Sequence, residues 1–406
     1  MKTLGPAFNR LWGASLTTNL ADGVLAAAAP LLAITLTKNP VLISMLSALV
    51  MLPWLFFAIP IGALADRVER RYLLATANAI RCLIAGLIAI AISTDTITIY
   101  LLFVATFLIG ICEVAADTAS QSLIPQILEE SQYERGNSRL QISETVVQGF
   151  VGTPLSGFLY ATAIYLPFIA NSVGFFVGAV LAFLLPVKFL QDLRKSEPST
   201  EQGSFFSEIK FGIQYLYQQK LLLRLVVITA SIGFAYSVST STIVLFLVSE
   251  LRLKPALFGV ALSVQAAGAV LGGLLAPKLS TKFGRSKVMA ICIFASSLII
   301  LLEGLAPDIY IFIALATLGS FAISNWNILL MSVYQGLIPQ EIFGRIHGAR
   351  RTIIWGLMPF GSLLGGLLAK GGLRLPLLIG GTVATVISIF SFKFLRTIAD
   401  KSNCDR

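Results

Sequence analysis

Apolar segments long enough to cross a lipid bilayer recur along the whole chain, and they restrict its fold more than any other feature. Each covers about 20 residues, which at 1.5 Å per helical residue spans the roughly 30 Å hydrocarbon layer. With 56% hydrophobic and 12% charged residues among 406, a water-soluble enzyme is excluded. We predict twelve transmembrane helices, at 12–36, 42–64, 72–93, 98–121, 138–160, 167–187, 222–249, 256–280, 287–306, 308–332, 347–369 and 373–395.

The positions of the basic residues relative to these spans explain the net charge of +10. With the N-terminus in the cytoplasm, the outer loops hold few of the 30 Lys and Arg: Lys38, Arg252, Lys254, Lys370 and Arg374. Arg81 lies within a span, and the remainder lie at cytoplasmic ends and loops, as the positive-inside rule expects. We therefore expect a multi-pass, monomeric protein of the bacterial inner membrane with both termini cytoplasmic, and no nucleic-acid partner.

The two halves of the chain resemble each other. The segment 121–126, QSLIPQ, returns as QGLIPQ at 335–340, in each case just after the fourth span of a half. Six spans in each half give both copies the same orientation, so we predict an all-α membrane protein built from two parallel six-helix repeats. Such repeats enclose a cavity between them.

A polar stretch at 188–221 separates the halves. Near its end, Phe205, Ile209, Ile213 and Leu216 recur at spacings of four and three, which predicts an amphipathic helix on the cytoplasmic surface. The predicted organisation is an N-terminal bundle at 1–187, a linker at 188–221 and a C-terminal bundle at 222–406.

Residues that carry enzymatic chemistry are scarce. The single histidine, His347, and the dispersed cysteines Cys82, Cys112, Cys292 and Cys404 indicate neither a metal site nor a disulfide framework. The motifs GxxxxGK[ST], HExxH and GxSxG are absent from the sequence. We expect no enzyme activity, cofactor or metal.

The turn after the second span carries a recognisable motif. Residues 62–71 read GALADRVERR, which resembles the major facilitator superfamily loop signature Gly-x-Leu-Ala-Asp-Arg-x-Gly-Arg-Lys, with Glu69 where glycine is usual. The resemblance implies a transporter that works by alternating access, with this turn as a gate. The alternative is that its arginines only anchor topology by binding lipid headgroups. The gating-loop residues are Gly62, Asp66, Arg67, Arg70 and Arg71.

The fifth span resembles the Gly-Pro-x-x-Gly signature of exporting, proton-exchanging branches of the same superfamily. The matching positions are Gly149, Pro154 and Gly157, with Thr153 where a glycine is usual. This resemblance favours export over import. Small residues also allow ordinary close packing of helices, which explains the glycines equally well.

Few ionisable residues lie within the spans, where an unpaired charge costs at least about 2.5 to 3.5 kcal/mol. At 1.5 Å per residue, Asp22, Arg81 and Glu113 share a depth of about 12 to 17 Å from the cytoplasmic surface. Asp117 follows one turn after Glu113. We predict a cluster that loads and releases a proton, against the alternative of a static ion pair. In the second half, Glu303 lies only near the outer end of the ninth span.

The resemblance also implies a substrate cavity lined by spans 1, 4, 7 and 10. The cavity residues that we predict are Asn19, Gln148, Tyr236, Asn325 and Trp326, with Trp326 facing lipid or a neighbouring helix as an alternative. Few polar groups beside aromatic ones suit a small amphipathic molecule.

Asp22 in the sequence NLADG and Glu113 with Asp117 are similar to the branch that includes the enterobactin exporter and macrolide efflux proteins. We expect proton-coupled efflux of a drug-like or siderophore-like molecule. A proton-coupled importer and a membrane-embedded enzyme are the alternatives.

Overall fold

The computed structural model describes residues 4–129, 132, 136, 139–140, 144–186, 214–338 and 342–401. Every regular element within these ranges is helical. The long helices are α1 (Gly5–Leu36), α2 (Pro40–Arg67), α3 (Arg70–Ser93), α4 (Ile99–Ile127), α5 (π-helical over Glu144–Gly152 and α-helical over Thr153–Thr162), α6 (Leu166–Phe183), α7 (Lys220–Thr240), α8 (Phe258–Phe283), α9 (Arg285–Gly304), α10 (Ile309–Leu337), α11 (Phe343–Ala369) and α12 (Leu375–Lys401).

These helices confirm the predicted all-α membrane fold. In the described part of the chain, 11 helices are long and apolar enough to cross a membrane, and α5 adds a divided helix at the predicted fifth span. Some helix ends extend beyond the predicted spans: α1 begins at Gly5 rather than 12, and α4 ends at Ile127 rather than 121. Others fall short, such as α6, which ends at Phe183 rather than 187. Hydropathy locates only the apolar middle of a helix, whereas the polar ends continue the same backbone hydrogen bonding.

Short polar caps fix the starts of two helices that occupy corresponding places in the two halves. The Thr98 hydroxyl accepts the Leu101 N–H (3.2 Å) before α4, and the Asp308 carboxylate accepts the N–H groups of Tyr310 and Ile311 (2.9 Å each) before α10. Each cap satisfies backbone donors that lack a partner within the helix.

The chain divides into two compact units. Unit 1 comprises Met1–Thr37, Leu52–Gln202 and Lys254–Ser263. Unit 2 comprises Lys38–Met51, Gly203–Leu253 and Val264–Arg406. The start of α2 therefore groups with unit 2, and the start of α8 groups with unit 1. The division into bundles at 1–187 and 222–406 stays a prediction.

Only part of the predicted linker falls within the described residues. Phe205, Ile209 and Ile213 lie outside them, so the predicted amphipathic helix stays a prediction. Leu216 is buried in the main apolar cluster of unit 2, where Trp326 and Tyr334 also pack.

Helix α5 makes very close backbone contacts in unit 1. A β-carbon added at Gly23 would lie 2.3 Å from the Gln148 carbonyl oxygen, and one at Gly157 would lie 2.2 Å from the Ala256 carbonyl oxygen. Glycine at these positions lets α1 and the start of α8 approach the α5 backbone.

Hydroxyl groups join α5 to α8 at the point where the π-helix gives way to the α-helix. The Thr153 hydroxyl donates to the Gly149 carbonyl (2.6 Å) and lies 2.9 Å from the Ser263 hydroxyl, which also donates to Gly149 (3.0 Å). A π-helix leaves its carbonyls less regularly paired than an α-helix does. The Thr153 and Ser263 hydroxyls supply donors to the Gly149 carbonyl of this π-helix.

Candidate functional site

A cavity of about 610 Å³ lies in unit 1 among α1, α3, α4 and α5. Its lining is rich in polar side chains. The predicted residues Asn19, Asp22, Arg81, Glu113, Asp117 and Gln148 all line it, together with Ser15, Thr18, Asn78, Ser120, Gln121 and Glu144.

An ion pair between Asp22 of α1 and Arg81 of α3 lies at the wall of the cavity. The Arg81 side chain is 2% exposed and that of Asp22 is 17% exposed. The Arg81 guanidinium also lies 3.9 Å from the centre of the Phe175 ring, which is fully buried on α6. This cation–π contact and the ion pair together join three helices of unit 1.

Three further carboxylates gather near this ion pair. Glu113 interacts electrostatically with Asp22, Arg81, Asp117 and Glu144. Glu113 is half-buried, whereas Asp117 and Glu144 are exposed. The described residues that line the cavity therefore include four carboxylates and a single guanidinium, so the cavity favours positive charge.

Asn78 is a cavity residue that sequence reasoning missed. It lies three residues before Arg81 on α3 and is fully buried. Within the described chain, neither its amide nitrogen nor its amide oxygen has a hydrogen-bond partner. The spacing to Arg81 places both on one helix face, a signal that was available in the sequence.

Asn19 and Gln148 approach the cavity from α1 and α5. The Asn19 amide donates to the Ser15 hydroxyl (3.0 Å). The carbonyl of Gln148 faces Gly23, so the backbone of α5 is held against α1 where Gln148 reaches the cavity.

The other predicted cavity residues belong to unit 2. Tyr236 on α7 is 43% exposed, whereas Asn325 and Trp326 on α10 are 0% and 2% exposed. The Asn325 amide donates to the Phe321 carbonyl (2.9 Å), and Trp326 packs in the apolar cluster. Their place in a substrate cavity stays a prediction.

The arginines that begin α3 bond to the ends of other helices in unit 1. Arg70 donates to the Ser122 carbonyl near the end of α4 (2.8 Å), and Arg71 donates to the Leu185 carbonyl after α6 (3.1 Å). Arg71 also pairs with Glu69. The φ angle of Glu69 is −69°, so the turn does not require the glycine that is usual in the family signature.

Gly62, Asp66 and Arg67 lie in the last turns of α2, and Arg67 is exposed. A β-carbon at Gly62 would meet no atom within 4 Å. Packing therefore does not require glycine at this position. The side chain of Asp66 lies outside the described part.

Comparison of the sequence with known proteins identifies relatives over nearly its full length. The profile of the transmembrane secretion effector family matches residues 4–404. Macrolide efflux protein A of Streptococcus pyogenes is 21% identical over 385 residues, covering 94% of each chain. The staphyloferrin A transporter of Staphylococcus aureus is 22% identical over 368 residues, covering 88% of this chain and 89% of the relative.

Solved structures of transporters share the fold. A point mutant of the nucleoside transporter NupG matches with a TM-score of 0.79 at 13% identity, covering 96% of this chain and 99% of that one. A bacterial homologue of the iron transporter ferroportin, in an inward-facing state, matches with a TM-score of 0.72 at 14% identity, covering 96% and 100%. The relatives and structural neighbours are transporters, not enzymes. This chain belongs to the transmembrane secretion effector family of major facilitator transporters.

Proposed function

We propose that this transporter exports a small amphipathic organic cation in exchange for protons. The observation that carries the proposal is the charge of the unit 1 cavity, whose described lining residues include four carboxylates and one guanidinium. A cavity of about 610 Å³ is within the size range of small-molecule sites. Its acidic wall complements a cationic group on the substrate.

Asp22 and Glu113 differ in their partners, and we assign them different roles on that basis. Asp22 is paired with Arg81, so its charge is already compensated within the wall. Glu113 interacts with the same Arg81, whose charge Asp22 already matches, and with three other carboxylates, so negative charges outnumber positive ones among the described groups around it. A proton or a substrate cation relieves that repulsion. Competition between the two at Glu113 couples substrate release to proton binding.

The relatives support an organic substrate, and one of them supports the direction of transport. One is named for macrolide efflux, and another for transport of the siderophore staphyloferrin A. We extend efflux of an organic molecule to this chain on that basis. Import by symport is the alternative, and the direction of transport separates the two.

We propose that the protein is a monomer of the bacterial inner membrane with both termini in the cytoplasm. The positive-inside distribution supports this orientation, since the basic turn with Arg67, Arg70 and Arg71 then faces the cytoplasm. We propose residues 62–71 as a cytoplasmic gate of an alternating-access cycle.

Transport into everted membrane vesicles tests the proposal. With an acidic interior imposed on the vesicles, we expect erythromycin, an amine-bearing macrolide, to accumulate, and dissipation of the pH gradient to prevent accumulation. Glu113→Gln should abolish the gradient-driven component, because the amide cannot exchange a proton. Asp22→Asn should also abolish it, because the buried Arg81 then lacks its carboxylate partner at the cavity wall.

Asp95→Asn is the matched control, because Asp95 is exposed in the loop between α3 and α4. Its φ angle of 54° is a conformation that asparagine also adopts readily. This variant should transport normally. Unchanged coupled transport in Glu113→Gln and Asp22→Asn would overturn the proton role, and accumulation only in right-side-out vesicles would establish import.

A further inference from the structure

We propose that Glu303, in unit 2, is a second proton-binding site of this transporter. Glu303 is the penultimate residue of α9 and is 8% exposed. It lies in a different unit from the carboxylates of the cavity. It is therefore separate from the site of the proposed exchange.

Glu303 is buried without a compensating charge. Among the described residues, Arg81 and Glu303 are the charged side chains with less than a tenth of their surface exposed, and Arg81 has Asp22 as its partner. No described residue forms an ion pair with Glu303 or donates a hydrogen bond to its carboxyl group. An unpaired carboxylate in such surroundings is costly, whereas the neutral acid is tolerated.

The position of Glu303 at the end of its helix also favours the neutral acid over the carboxylate. The C-terminal end of an α-helix carries partial negative charge, which disfavours a carboxylate there. Arg374 binds at this end of α9 but is already engaged: it pairs with Glu250 and donates to the carbonyls of Gly304 (3.0 Å) and Ala306 (2.9 Å). Arg374 therefore stabilises the end of α9 and does not neutralise Glu303.

A titratable neighbour of Glu303 lies on α7. Tyr236 of α7 interacts electrostatically with Glu303 and is 43% exposed, although the residues on either side of it are buried. A phenol is neutral at neutral pH, so Tyr236 does not compensate a charge on Glu303. From α10, Gly319 faces the carboxyl group; a β-carbon there would lie 3.6 Å from Glu303 Oε1.

Loss of the proton would leave a charge that this packing does not satisfy. The carboxylate would then need water or a cation beside it, at the place where α9 packs next to Gly319 of α10. Proton occupancy of Glu303 thereby stabilises the packing of α9 against α10.

Carbodiimide labelling tests this site directly, because dicyclohexylcarbodiimide reacts with protonated carboxyl groups in apolar surroundings. The full-length protein in lipid nanodiscs is labelled across a pH series, and the modified peptides are quantified by mass spectrometry. We expect Glu303 to be modified at neutral pH, with labelling that falls about tenfold per pH unit once the acid ionises. Glu250 serves as the internal control, because it is paired with Arg374 and should remain unmodified.

Two variants complete the test. Glu303→Gln should remove that labelled peptide, and Glu113→Gln should leave Glu303 labelling unchanged. Equal labelling of Glu303 and Glu250 at neutral pH, or labelling of Glu303 that does not change with pH, would overturn the proposal. The assay needs neither substrate nor gradient, so failure of the proposed export leaves its result intact.

Discussion

Replacing Arg81 by methionine is expected to destabilise the protein by about 3–5 kcal/mol and to abolish transport, because it leaves the Asp22 carboxylate without its cation. The substitution also removes the contact of the guanidinium with Phe175. The loss of stability is measured as a lower midpoint of thermal unfolding in detergent, with the folded fraction at each temperature determined by size-exclusion chromatography.

Glu250→Gln is the matched control for this prediction, because it breaks the ion pair with Arg374 and leaves the hydrogen bonds of that arginine to the Gly304 and Ala306 carbonyls. The side chains of Glu250 and Arg374 are both 33% exposed. Solvent-exposed ion pairs contribute at most about 1 kcal/mol, so this loss should be clearly smaller. The double variant Asp22→Asn with Arg81→Met should recover much of the stability without recovering transport. Equal stability of Arg81→Met and Glu250→Gln would contradict a structural role for the buried pair.

Adding one methyl group at Gly23 is expected to cost about 1–3 kcal/mol, because overpacking forces the backbone of α1 away from α5. The new β-carbon would lie 2.3 Å from the Gln148 carbonyl oxygen and 2.9 Å from its Cα, so no side-chain rotation relieves the contact. Gln148 lines the cavity, so transport should also fall. Thermal unfolding and erythromycin transport of Gly23→Ala measure both effects.

Gly233→Ala provides the comparison, since Gly233 also lies inside a helix but its β-carbon would meet only the Ile354 side chain at 3.8 Å. Alanine favours a helix over glycine by about 1 kcal/mol, so this variant should be unchanged or more stable. If Gly23→Ala unfolds at the same temperature as Gly233→Ala, the result would contradict the close packing of α1 against α5.

Hydropathy and charge were sufficient to predict the helical membrane fold. The apolar spans locate α1 to α12 because each helix must satisfy its own backbone hydrogen bonds in lipid. The division of α5 was not predicted, since a π-helix depends on tertiary contacts such as those of Thr153 with Gly149 and Ser263. The same limit applies to Gly23, whose requirement for glycine depends on a carbonyl in another helix.

The charged cluster could be predicted in part. Equal depth along separate spans brings Asp22, Arg81 and Glu113 together, because depth in a bilayer follows directly from residue number. Depth says nothing about rotation of a helix about its axis. Sequence reasoning therefore missed Phe175 against the guanidinium, and it also missed Asn78, a buried polar residue one turn from Arg81.

Cysteine accessibility tests the central claim, that the acidic cavity of unit 1 is open to water and receives substrate. The background is a variant in which serine replaces the four cysteines, Cys82, Cys112, Cys292 and Cys404. Ser120→Cys then adds one cysteine that lines the cavity. Leu83→Cys adds one that faces lipid, since Leu83 is 66% exposed on α3. A membrane-impermeant methanethiosulfonate reagent added to everted vesicles should modify Ser120→Cys, more slowly with erythromycin present, and leave Leu83→Cys unmodified. Absence of reaction at Ser120→Cys, or a rate that erythromycin does not change, would contradict the account.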